Sequence, residues 1–495
     1  MGVVFRQSVK SSLATFAGAF LGAAIIYLST YYLPKQELGF RNILTNYAVL
    51  CGQILVLGLH NTMAVYIHRY PPGHEKSRAL VSISLVLPAF FTVVASLFYF
   101  LLKSPIISFF KPEDIPFIQQ YFLWLPIFTL LFAYSTLLET YLVSQLKVAK
   151  ATFIREVLLR IFNIVLILLY GFNYISFSVL IYGTVMVYLI PIVLLLSIAW
   201  KTEAFQFSSR WNVFPKEEKK EIVHFTWYHS LLGATTIFMG MLDTLMIPTL
   251  SVNGLRSVPV YVVSVFLISF LMIPYKAMAN STFALLAQAF QVNDKPKIHD
   301  IFMRSSANIF IATGAMFLMI VCNLHNATKI LPAGYEGIET IVVILALGRM
   351  IDMVTGMNDH VLSLSKYYKM SFYISVLLVL MMVAFNWWLI PIYDANGAAI
   401  GTTLALIIYN LLKLILVKRH LQIQPINRNT GLIVLAGLAA FIVGYLLPHN
   451  PNPFVDAAYR SLSILLVYAV LLMFLKPSED LNKYLKSIRQ NKRLF

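Results

Sequence analysis

Apolar runs of 20 residues or more recur along this chain, broken by short polar links, from about residue 11 to residue 475. A helix of about 20 apolar residues crosses the ~30 Å hydrocarbon core of a bilayer. A span must be helical because hydrocarbon offers no partner for open backbone groups. The pattern predicts an all-α integral membrane protein of about fourteen spans. They fall at 11–33, 41–67, 79–102, 119–145, 152–171, 176–200, 222–249, 258–290, 300–323, 338–364, 369–391, 396–417, 429–447 and 457–475. The first run reaches Leu33, too long for the apolar core of a cleaved signal. The longest link, 201–221, carries Trp211, Pro215 and Lys216-Glu217-Glu218-Lys219-Lys220 and reads as an amphipathic surface connection. It divides the chain into residues 1–210 with spans one to six and 211–422 with spans seven to twelve. Residues 423–495 hold the last two spans and a basic tail.

Composition agrees. Apolar residues make up 59% and charged residues 12%, half the charged share of a soluble protein. Mean hydropathy is +0.76. The net charge of +17 would suggest nucleic acid in a soluble chain, but here it is distributed by side. Counting along the spans puts 27 of the 38 Lys and Arg residues on one side and six on the other. Five more, Arg160, Lys276, Arg349, Lys413 and Arg460, lie within spans or at their ends. Such asymmetry predicts that both termini are cytoplasmic, and it leaves no reason to invoke nucleic acid. Cys51 and Cys322 fall in apolar runs and read as buried thiols, with neither a disulfide framework nor a metal site.

A weak repeat joins the halves. His74-Glu75-Lys76-Ser77-Arg78 leads into span three, and Asp294-Lys295-Pro296-Lys297 leads into span nine. Transporters are often built from such repeats, with the substrate between them.

Three stretches carry a family resemblance. Leu33-Pro34-Lys35-Gln36-Glu37-Leu38-Gly39-Phe40 runs on to Leu57-Gly58-Leu59. Phe283-Ala284-Leu285-Leu286 leads through to Lys297. Leu389-Ile390-Pro391-Ile392-Tyr393 is followed by Gly397-Ala398-Ala399-Ile400-Gly401. Together they resemble the polysaccharide-transport (Wzx-type) flippases of the MATE-like exporter (MOP) superfamily. Pro34 and Asp394 stand where that family usually has glycine. The resemblance implies two six-helix lobes facing a central cavity, plus a C-terminal helix pair, in an inner membrane. It implies transfer of an undecaprenyl-pyrophosphate-linked oligosaccharide to the outer leaflet, with membrane lipids and polysaccharide polymerase or assembly proteins as partners.

Ionisable residues inside spans are candidate functional groups by default. Span ten places Arg349, Asp352, Gly356, Asp359 and Ser363 at steps of three and four. Span seven places His229, Thr236 and Asp243 at steps of seven, span two carries Asn42, Asn46, Gln53 and His60, and span four carries Ser135 and Glu139. Span eight has Lys276 with Asn280 one turn on. Lys276 and Arg349 are the expected pyrophosphate contacts, since such a group needs cations and Arg offers a bidentate fork. Asp243, Asp352 and Glu139 could pair with them or bind a coupling proton or Na⁺; Asp359, His60, Gln53 and Asn280 complete the expected polar lining.

Plainer readings stand beside these. Arg349 and Asp352 can neutralise each other, Lys276 can bridge to Asp243, and Glu139 can be interfacial. His60 and His229 can be packing residues. Gly18 and Gly22 form a GxxxG that suits helix packing.

Absent motifs narrow the chemistry. There is no GxxxxGK[ST], HExxH, paired-cysteine zinc spacing or GxSxG, so neither ATP hydrolysis nor an enzyme or cofactor is expected. A lipid II flippase of the MurJ type and a cation-coupled MATE-type exporter share the expected fold. A glycan-assembly membrane enzyme is the alternative of a different class.

Overall fold

The computed structural model describes residues 3–70, 73–202, 205 and 211–480. Helix follows helix, and no strand occurs among the described residues. The chain forms two compact units, one of Met1–Thr249 with Asn253–Pro259 and one of Leu250–Val252 with Val260–Phe495.

The first unit holds α1 (Val3–Tyr32), α2 (Lys35–Leu55), α3 (Leu59–Tyr66), α4 (Glu75–Leu101), α5 (Trp124–Ser144) and α6 (Val148–Phe153). A π-helical turn, Ile154–Leu158, then leads into α7 (Leu159–Gly171), followed by α8 (Phe177–Met186), α9 (Leu189–Ala199) and α10 (Lys216–Leu250). α11 (Ser257–Ser269) passes into the second unit. That unit continues with α12 (Met272–Gln291), α13 (Lys295–Val321), α14 (Ile338–Val354), α15 (Asn358–Leu364), α16 (Tyr368–Tyr393), α17 (Ala395–Leu421), α18 (Arg428–Leu446) and α19 (Pro453–Leu475).

Nine described helical stretches are long and apolar enough to cross a bilayer, or twelve if each of three bent pairs is one span. Two of the fourteen expected spans lie outside this count among the described residues. The span at 152–171 carries the π-turn, with α7 continuing it for 13 residues. The span at 222–249 lies on the continuous 35-residue helix α10, of which Ile237–Leu250 is an apolar stretch among the described residues.

Large apolar side chains cover the outside. Phe20 is 79% exposed, Leu101 77% and Phe474 79%, a surface that would aggregate in water but suits lipid. Because lipid tails are as apolar as leucine, close packing has to hold the helices together, and small residues permit it. A Cβ on Gly52 would meet Phe132 of α5 at 2.8 Å, and one on Gly348 would meet Thr403 of α17 at 2.8 Å. Gly18 and Gly22 are needed for a different reason. Cβ atoms there would meet Glu156 at 2.8 Å and Arg160 at 2.6 Å, so the GxxxG makes room for a charged pair.

The bent pairs set the site. α2 and α3 meet at 51° across Leu57 and Gly58, both at positive φ. α14 and α15 meet at 45°, with Gly356 at φ +63° and Ser306 filling the space a side chain would need. α16 and α17 turn on Asp394 at φ +56°, and the hairpin closes because Gly397 lies against the Leu389 carbonyl. The Ser251 hydroxyl donates to the Asp394 carboxylate.

At the start of α10, charge fixes the link helix to α3 and α4. Glu218 accepts from Lys76 at 2.6 Å and from the Tyr70 hydroxyl, and Glu221 accepts from Arg69 at 2.8 Å and Tyr66 at 2.9 Å. Burial pushes the Glu218 carboxyl up, but the Lys76 and Tyr70 hydrogen bonds outweigh it and hold the group below its ordinary range. At the starts of α4 and α13 a side chain caps the helix: His74 accepts from the Lys76 amide and Asp294 from the Lys297 amide.

Gly58→Ala is expected to destabilise the protein by at least about 1–2 kcal/mol, the cost of an L-residue at that φ, since its Cβ would also fall 2.6 Å from the Thr226 carbonyl. Gly240→Ala, with nothing within 4 Å, should leave the melting temperature of the detergent-solubilised protein unchanged or raised. Equal melting of the two variants would contradict the assignment of Gly58 to the bend.

Candidate functional site

The second unit gathers charge around the bend between α14 and α15. Lys413 on α17 is fully buried and forms an ion pair with Asp359 of α15, whose side chain is 45% exposed. The Tyr409 hydroxyl, one turn before Lys413, accepts from the lysine and donates to Asp359 at 3.2 Å. Ser375 of α16 lies 3.5 Å from the same hydroxyl. Arg349 and Asp352 on α14 face each other at 3.7 Å. Both charges reach Tyr409, and that of Asp352 reaches Lys413. Thr355 ties the bend down by donating to the Asp352 carbonyl at 2.8 Å, and it bonds Asn410 of α17 at 2.9 Å. Both side-chain polar atoms of Asn358 are buried without a partner, as is the Ser306 hydroxyl.

The physical origin of this cluster is the broken helix. A straight span ten would satisfy its own backbone and carry its charges along one stripe. The bend at Thr355–Met357 instead turns Asp359 toward α17, where Tyr409 and Lys413 stand at i,i+4 on one face. Broken helices are where transporters build polar sites within the membrane.

Of the expected residues, the fold brings Arg349, Asp352 and Asp359 together. Lys276 sits on α12 with an exposed side chain and no ion pair or hydrogen bond among the described residues. Its neighbour Tyr275 lies within electrostatic reach of Asp352. Asn280 lies on α12 as well, and its side chain is outside the described residues, as are that of Thr236 and the tail from Lys483 to Arg493. Lys413 is the residue that the helical stripes missed. Its signal was present: a lysine inside an apolar run, four residues after Tyr409 and three after Asn410.

The first unit holds its expected residues separately. Glu139 on α5 accepts from Arg155 at 2.6 Å, Arg155 also meets Glu156 at 2.9 Å, and Glu156 meets Arg160 at 2.6 Å. Arg160 ends the chain on the Gly18 carbonyl of α1. This is an alternating ladder of two carboxylates and two guanidiniums. Asp243 is buried on α10, beside Thr244, which accepts from Asn46 of α2 at 3.3 Å. Gln53 is half-buried near the end of α2. His60 on α3 has a buried Nδ1 without a partner, and His229 binds the Phe225 carbonyl at 2.9 Å and stacks on its ring. Arg41, which the count by side treated as a loop cation, is buried and held by Asn163 at 2.8 Å, Thr184 at 3.2 Å and Ser29 at 3.5 Å.

No family model matches the chain, and no curated protein matches it. Solved structures do. A lipid II flippase, MurJ, in an inward closed conformation superposes with TM-score 0.76 at 16% identity, over 94% of this chain and 99% of that one. An inward-facing multidrug-resistance MATE transporter of the MOP superfamily gives 0.63 at 15% identity, over 85% of this chain and 98% of that one. A MOP superfamily transporter from Pyrococcus furiosus, described as having a binding pocket of reversed polarity, gives 0.56 at 14% identity over 85% of this chain and 95% of that one. The chain thus has the all-helical fold of MOP superfamily transporters.

The Asp359–Lys413 pair makes an asymmetric prediction. Asp359→Asn leaves a buried ammonium without its counter-charge and should cost about 3 kcal/mol or more. Lys413→Met leaves a carboxylate that can still hydrate, so it should cost less, and the double variant should melt close to Lys413→Met alone. Thermal unfolding of the four proteins in one detergent checks this; equal, additive losses would mean that the two side chains do not pair.

Proposed function

We propose that this chain is a flippase for a pyrophosphate-linked oligosaccharide on a polyprenyl carrier, moving the head group from the cytoplasmic to the outer leaflet of the inner membrane by alternating access. The observation that supports it best is the reach of the fold match. The lipid II flippase covers 94% of this chain, and the MATE transporter 85%. The share that the latter leaves over is about the length of residues 423–495, which hold the C-terminal helix pair. The Wzx-like stretches around Gly39, Gly58 and Gly397 point to an oligosaccharide repeat unit as cargo. Lipid II is the second reading, favoured by the name of the structure that superposes over the greater length.

The need for a protein here is electrostatic. A pyrophosphate head group crosses hydrocarbon only at a cost of many kcal/mol. In this reading Lys276, unpartnered and exposed, and Arg349, held only loosely at 3.7 Å, take the pyrophosphate. Arg349 can exchange Asp352 for a phosphate oxygen without leaving a bare charge behind. The Asp359–Lys413 pair couples the movement to a cation or proton, because a charge that enters or leaves one partner frees the other. Consumption of the product by a polymerase on the far side would pull the cycle forward. Cytoplasmic termini follow from the distribution of Lys and Arg.

Depletion of the protein in its host, followed by mass spectrometry of polyprenyl-linked intermediates, is expected to show one surface-glycan oligosaccharide accumulating on its carrier. Accumulation of lipid II would move the cargo to peptidoglycan, and no change in any lipid-linked sugar would refute the reading. Lys276→Glu and Arg349→Glu should each reduce complementation by more than about tenfold, the scale of one lost charge-assisted contact, at normal protein yield. Normal complementation by both would remove these two residues from the binding role.

A further inference from the structure

A cavity of about 540 Å³ lies in the second unit, away from the Lys413 cluster. It sits where α13 and α18 end and α14 and α19 begin, at the end of these spans opposite Lys295 and Arg428. Its volume falls in the range of pockets that enclose a small molecule, about 300–1,000 Å³. Val343, Ile344, Phe441 and Tyr445 form apolar walls, and Tyr445 is itself 75% exposed on the lipid-facing side of α18.

The polar end is built of paired opposites. Arg460 is buried and satisfied: Asp456 takes it at 3.0 Å, the carbonyls of Gly444, Leu447 and Pro448 take more of its donors, and His449 Nδ1 lies 3.0 Å from its Nη2. A guanidinium only donates, so His449 Nδ1 must accept and its Nε2 must carry the proton. His325 packs beside it, ring centroids 4.7 Å apart. Across the cavity, Glu339 accepts from Thr328 at 3.0 Å through one oxygen, and its other oxygen has no partner among the described residues. The cavity thus offers imidazole N–H donors, a carboxylate acceptor and apolar walls.

The geometry points to a binding site for one membrane phospholipid with a zwitterionic, primary-amine head group, its phosphate on His325 and His449, its ammonium on Glu339 and its acyl chain along α14 and α18. A free phosphate would leave the walls bare and Glu339 in repulsion. A plain hydrocarbon would leave Glu339 and the imidazoles without partners. A zwitterion on an acyl chain meets all three surfaces. The site is independent of the transported cargo.

Native mass spectrometry of the delipidated full-length protein tests it, with phosphatidylethanolamine, phosphatidylcholine and phosphatidylglycerol of identical acyl chains. The first phosphatidylethanolamine is expected to bind about tenfold tighter than the others, the scale of hydrogen bonds from a charged donor that the competitors lack. Glu339→Gln should abolish that preference at unchanged melting temperature, and His449→Phe should weaken all three lipids. Cys322 lines the cavity, so bound phosphatidylethanolamine should also slow alkylation of Cys322 relative to Cys51. Equal affinity for the three lipids, a preference that survives Glu339→Gln, or displacement by a polyprenyl phosphate that binds tighter would each overturn the proposal.

Discussion

A charge placed among hydrocarbon must bring its own solvent, and this chain meets that requirement in three different ways. Arg460 is saturated by Asp456 and a ring of carbonyls. Arg41 is held by neutral oxygens from Asn163, Thr184 and Ser29. Lys413 depends on one carboxylate and one hydroxyl. The energy of removing an ion from water, several kcal/mol even after relaxation, is offset in each case, but the margins differ. A guanidinium with many fixed acceptors has one stable arrangement. An ammonium with a single, half-exposed carboxylate has alternatives, because water or another cation can reach Asp359 while Lys413 stays buried.

That difference separates the tightly satisfied clusters from the looser one around Asp359. The Arg460 cluster fastens the turn between α18 and α19, joining the last residues of one helix to the first of the next. The Glu139–Arg155–Glu156–Arg160 ladder does the same for α5, the π-turn and α1, and it explains why α1 needs glycine at 18 and 22. In both places the charges alternate, and Arg155, Glu156, Arg160, Asp456 and Arg460 each have more than one partner. Around Asp359 the arrangement is looser: Arg349 and Asp352 stand 3.7 Å apart, and Asn358 and Ser306 keep buried polar atoms unmatched. Polar atoms left unmatched in a low-dielectric interior cost about 1–3 kcal/mol each.

The sequence revealed the fold class well because the bilayer imposes a coarse and demanding pattern. Apolar runs of fixed length and the bias of Lys and Arg survive any detail of packing. The breaks were harder to see. Gly58 was visible as part of a motif, but the bend also depends on Leu57 adopting positive φ and on the close approach of α10. The π-turn at Ile154–Leu158 has no marker of composition in the sequence. The span read at 152–171 therefore contains a π-turn, whereas that at 222–249 lies on one continuous helix, α10.

The candidate site was legible in part, and the reason lies in what periodicity can and cannot report. A stripe on one helix shows which residues share a face, so Arg349, Asp352 and Asp359 emerged together. It does not show what faces them. Lys413 has no charged residue three or four positions away on its helix, Lys418 and Arg419 lying farther on, and so formed no stripe. Its significance comes only from the bend that aims Asp359 at α17. For a membrane transporter this suggests a sharper rule of reading. A lone ionisable residue in an apolar span has to be matched across helices, so it identifies an inter-helix contact more strongly than a stripe does. The most informative cations are then those whose partner lies beyond a helix break, where a change in the break and a change in the charge become the same event.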